Sequence, residues 1–187
     1  MVFTERKSLG AAQVSIRIQA LAAAVSVVAA VALPQILHVV GASFGLGSTL
    51  GEILLPMHLP IILVGLLAGP WAGASAGFLA PLVSFALTAM PGRAMLPFIV
   101  IELCVYGLVA GLLRTSSMPN LGKVVIVQIS GRAIRAAAIL LAVMVLGVSS
   151  VPVSVIWTSI SVGVFGLALQ WVLIPVILRW VVKQDVH

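Results

Sequence analysis

The sequence predicts an all-α integral membrane protein: six transmembrane helices forming one domain over residues 1–187, with both termini cytoplasmic. Three observations predict it. The chain is 62% hydrophobic and 7% charged, against about 25% charged in soluble domains, so it lacks the polar surface to cover a water-facing fold. Its apolar residues form runs close to or above the ~20 residues that cross a bilayer as a helix. Its lysines and arginines gather at every second break between those runs, the pattern that marks cytoplasmic ends.

Each span is bounded by turn chemistry. The first covers residues 14–33, an alanine- and valine-rich run that Pro34 closes. A glycine-rich segment, "PQILHVVGASFGLGSTLGE" over 34–52, follows on the outer side, either as a loop able to close over a ligand or as an ordinary re-entrant or interfacial loop. The second span covers 52–67 and ends at Gly69-Pro70; the third covers 71–89 and ends at Pro91-Gly92. The fourth runs over 94–113, before "RTSSMPNLGK". The fifth runs over 122–146, before "GVSSVPVS", and the sixth over 154–182. Short connections make neighbouring spans antiparallel.

Orientation follows from charge. Arg6, Lys7 and Arg17 sit at the start, Arg114 and Lys123 between spans four and five, and Arg179 and Lys183 at the end. Six spans put all three groups on one side, the cytoplasm. Arg93 and Glu52 are left on the other side. The basic start and the "AVA" of residues 30–32 also fit a cleavable signal peptide. Cleavage would leave five spans and divide the basic groups between the two sides, so a retained first span is expected. The net charge of +6 is therefore a topology signal, not a nucleic-acid footprint. The single cysteine, Cys104, allows no disulfide within the chain.

Several chemistries are excluded or weak. No G-x-x-x-x-G-K-[ST] occurs, so ATP hydrolysis by a P-loop is not expected. No H-E-x-x-H or Cys/His cluster is present, so neither a metal nor another cofactor is expected. "GASAG" places Ser75 in a G-x-S-x-G pattern, and an intramembrane serine hydrolase pairing Ser75 with His58 is the enzymatic alternative. The two differ in depth by about 6 Å at 1.5 Å per residue, which does not suit a nucleophile and its base. Gly73, Gly77, Ala80, Ser84 and Thr88 instead form a small-residue stripe for close helix packing, and Gly107 and Gly111 repeat its spacing. A non-binding structural subunit is the third reading.

The most informative residues are charges inside apolar runs. Arg132 and Arg135 interrupt "IVQISGRAIRAAAILLAV", and Glu102 interrupts "IVIELCVYG". Arg132 lies about 15 Å from the inner end of its span, and Glu102 about 12–15 Å from the outer turn, so the three share a depth. Intramembrane charges face the bundle interior and pair there or bind something. One arginine is expected to pair with Glu102. The other is left for an anion, most simply a carboxylate.

"LLPMHLPIILVGLLAGPWAGASAGFLAPLVSFALTAMPG", "LPFIVIELCVYGLVAGLL" and the later "SGR" together resemble the substrate-specific S component of energy-coupling-factor vitamin transporters. The likeness is close over about residues 54–132. It rests on the ordered series P-M-H-x-P, G-P-x-x-G, P-L-x-S, M-P, E-L-x-x-Y-G-L and G-R. It implies a plasma-membrane, multi-pass subunit that captures a vitamin or vitamin precursor from outside, and a carboxylate such as pantothenate fits the uneven charge. It also implies a transmembrane coupling protein and two cytoplasmic ATPases as partners. Arg132, Arg135, Arg93, Glu102 and His58 are then the candidate substrate-binding residues. Ala20 and Ala24, in an A-x-x-x-A pattern, are the candidate contact with the coupling protein. Where many members carry a second proline after M-P, this chain has Gly92-Arg93, which adds a basic residue at the outer turn.

Overall fold

A computed structural model describes residues 14–47 and 49–184. These residues form seven helices and no strand. Five helical stretches are long and apolar enough to cross a membrane, with α5 as a shorter apolar helix beside them. The chain is thus a membrane-embedded, multi-pass helical protein. Arg6 and Lys7 lie outside the described residues.

The first helix, α1 (Ile16–Ser43), is capped by Ser15, whose Oγ accepts from the Ile18 N–H at 3.4 Å. It runs ten residues beyond the predicted end at Leu33, so much of the expected 34–52 loop is helical. Pro34 lies buried inside α1. A proline removes one helical hydrogen bond, yet membrane helices tolerate it where neighbours re-satisfy the freed carbonyl. The apolar residues after Pro34 continue the helix, and the chain turns only at 44–47. A short α2 (Thr49–Leu54) then leads into α3 (His58–Ala68). Between them Leu55 takes a left-handed φ of 49°, so the predicted second span is one stretch with a break near its N-terminal end.

Pro70 occupies the first turn of α4 (Pro70–Thr88), where its missing N–H costs no hydrogen bond. A turn containing a cis Met90–Pro91 bond leads to α5 (Leu96–Leu112). The last two helices, α6 (Asn120–Met144) and α7 (Val155–Gln184), follow the predicted spans to within a few residues.

At the centre is α5, packed on α3, α4 and α6. Small residues bring α4 and α5 into backbone contact. A Cβ on Gly73 would collide with the backbone of Gly107, and one on Gly77 with Leu103. Pro70 meets Gly111 in the same way, so the two helices run antiparallel. This is the small-residue packing read from the stripe. Tyr106, Leu103, Ile61, Ile62, Val124 and Val127 form the fully buried centre of the apolar core.

Candidate anion-binding site

One polar cluster interrupts this core. Glu102 on α5 has no exposed surface, and Tyr106 follows it one helical turn later, also fully buried. Residues four apart share a helix face, so both project from α5 towards α3 and α6. His58, the first residue of α3, sets its ring edge-on to Tyr106 with centroids 5.2 Å apart. Its Nε2 lies 3.9 Å from Glu102 Oε1. On α6, Gly131 makes room for the Tyr106 ring, which a side chain there would overlap. That close approach brings the neighbouring arginines onto Glu102.

The two arginines meet Glu102 unequally. Arg135 NH1 donates to Oε2 at 2.8 Å, a short charge-assisted bond between buried groups. Arg132 Nε lies 3.2 Å from Oε1, close enough for an ion pair but without hydrogen-bond alignment. Its NH1 donates to Ser159 Oγ on α7 at 3.5 Å, and its NH2 is buried with no partner. The expectation that only one arginine would touch Glu102 is therefore corrected. Three-residue spacing turns two side chains about 60° apart on a helix, so both reach the two oxygens of one carboxylate. The excess of cations remains: two guanidiniums face one carboxylate.

Both arginines line a cavity of about 450 Å³, with Ser159 and Thr158 of α7, Met95 near the start of α5 and Leu55 at the α2–α3 break. That volume suits a small metabolite, since ligand pockets run roughly 300–1,000 Å³. Glu102 and His58 stand in the charged cluster behind that lining, whereas Arg93 joins neither the cluster nor the cavity wall. It is exposed in the turn between α4 and α5, while its neighbours Pro91 and Gly92 line the cavity. Ser75 does not join His58: it is exposed on α4, and its Oγ donates to Ala72 O at 3.2 Å. Neither His58 nitrogen has a hydrogen-bond partner, so no nucleophile–base pair is formed there. Ala20 and Ala24 are exposed on α1 and line neither the cavity nor the cluster. Among the described residues no group of His, Cys, Asp and Glu is arranged to hold a metal.

Reasoning from charges alone missed the polar residues that hold the cavity wall. Trp171 Nε1 donates to Gln128 Oε1 at 2.6 Å, and Gln128 Nε2 to Gln170 Oε1 at 3.1 Å. Gln170 Nε2 in turn donates to the Leu55 carbonyl at 3.3 Å. This relay ties the α2–α3 break to α6 and α7. Two glutamines inside apolar helices were its visible signal, because buried amides seek each other. No protein family, curated protein or solved structure matches the chain.

Proposed function

We propose that this protein is the substrate-capture subunit of an energy-coupling-factor importer and takes up a carboxylate-bearing vitamin or vitamin precursor such as pantothenate. The observation that carries the reading is Arg132, whose buried NH2 and Nε lack hydrogen-bond partners beside a metabolite-sized cavity. Arg132 shares the Glu102 carboxylate with Arg135, so the pair of guanidiniums carries one positive charge more than its counterion, and charge inside a membrane is costly unless matched. A ligand carboxylate at NH2 relieves part of that cost. Arg135, bonded to Glu102, holds the carboxylate that positions Arg132.

In this reading six spans cross the plasma membrane, α2 and α3 together forming the second and α5 the fourth. Both termini are cytoplasmic. The ordered motifs from P-M-H-x-P to G-R support the assignment, and the missing P-loop fits a subunit driven by two partner ATPases through a transmembrane coupling protein. The exposed Ala20 and Ala24 are available for that coupling contact. The direct test is thermal unfolding of the purified chain with pantothenate, biotin and nicotinate. Ligands that bind only the folded state raise its apparent stability, by about 2.7 kcal/mol at one hundred times Kd. No shift with any carboxylate, or ATPase activity in a homogeneous preparation, would refute the reading.

A further inference from the structure

We propose that the captured ligand has two parts: a single carboxylate at Arg132, and an uncharged, largely apolar body whose far end hydrogen-bonds His58 in a second chamber. This rests on the capture reading above and adds the shape and charge of the substrate. Beside the arginine cavity lies a smaller one of about 200 Å³. The two have Glu52, Leu55, Met90, Pro91 and Ile99 in common as lining residues. By itself the smaller chamber falls below the usual range for a ligand pocket, so it is an annex to the larger one.

Its chemistry differs from that of its neighbour. Pro34 and His38 of α1 wall one side, and His58 and Ser84 another, with no arginine or lysine among the lining residues. His58 is 8% exposed, and both of its ring nitrogens lack hydrogen-bond partners. His38 Nδ1 is also buried and unpartnered. Polar atoms held this way lose their water without gaining a bond. A neutral imidazole offers one donor and one acceptor, which match a hydroxyl, amide or carbonyl on the ligand. A second carboxylate would find no cation in the annex and would pass Glu52 on the shared wall.

The test measures affinities of the full chain in detergent for pantothenate and biotin, both elongated monocarboxylates, and for propionate and glutarate. Expected is binding of at least one elongated probe about tenfold or more tighter than propionate or glutarate. His58→Ala should remove most of that preference, about tenfold for one buried hydrogen bond. His58→Gln, which keeps a donor and an acceptor, should retain part of it and so separates lost contact from misfolding. Propionate or glutarate matching the elongated probes, or the preference surviving His58→Ala, would overturn the two-part ligand while leaving anion capture intact. Binding of none of the four would overturn the capture reading, and this inference with it.

Discussion

Arg132 and Arg135 sit one helical turn apart, yet their nitrogens have different occupations. Arg135 is engaged by Glu102 Oε2 at 2.8 Å, whereas Arg132 keeps a buried NH2 without a partner. Their replacements should therefore separate. Arg132→Gln should weaken binding of a carboxylate ligand by about 2–5 kcal/mol, the range for truncating one partner of a buried charge pair, with a modest change in melting temperature. Arg135→Gln should mainly lower expression and thermal stability, because it leaves Glu102 with the misaligned Arg132 and, at 3.9 Å, His58. Calorimetric titration and thermal unfolding of both variants check this split. Equal affinity loss with equal stability loss would show that the two act as one scaffold unit.

At the scale of elements, the α4–α5 contact and the α2–α3 break hold the site. Gly107→Leu would drive a side chain into the backbone of Gly73 and should destabilise by at least about 1–3 kcal/mol, as overpacking does. Loss of a monodisperse detergent-solubilised species, or a clear fall in melting temperature, is the expected readout. Gln170→Leu should cost about 1–3 kcal/mol by removing two hydrogen bonds, with Gln128 Nε2 keeping the Leu167 carbonyl at 3.4 Å and the Leu55 carbonyl keeping the His58 N–H at 3.1 Å. Hydrogen exchange at residues 55–58 should rise with it, since the relay holds that break. The α4–α5 contact was legible in the sequence because glycines at helical spacing are a local pattern. The course of α1 beyond Pro34 was not, because a proline reads as a boundary unless its neighbours are known. Glu102 and both arginines were legible as charges in apolar runs. Their division of labour was not, because it depends on how a guanidinium aligns with a carboxylate on another helix. The place of Arg93 outside the cavity depends likewise on the path of an irregular turn.

For the whole molecule, the distribution of basic residues sets the expected topology. Arg114 and Lys123 bracket the α5–α6 connection, and Arg179 and Lys183 lie in the last turns of α7. Ser43, exposed at the end of α1, should then face outside, so Ser43→Cys in a Cys104→Ser background should react with an impermeant thiol reagent on intact cells. Labelling only from the cytoplasmic side would reverse the topology. The buried cluster at the outer end of α3 would then open to the cytoplasm, and capture from outside would fail with it. The central claim, that this bundle holds a small carboxylate at Arg132, is tested most directly by mass spectrometry of what solvent extracts from the chain purified from its host membrane. The account predicts one small carboxylate, near one per protein in the wild type and depleted at least tenfold in Arg132→Gln. A neutral or cationic molecule, or the same carboxylate retained in full by Arg132→Gln, would contradict it.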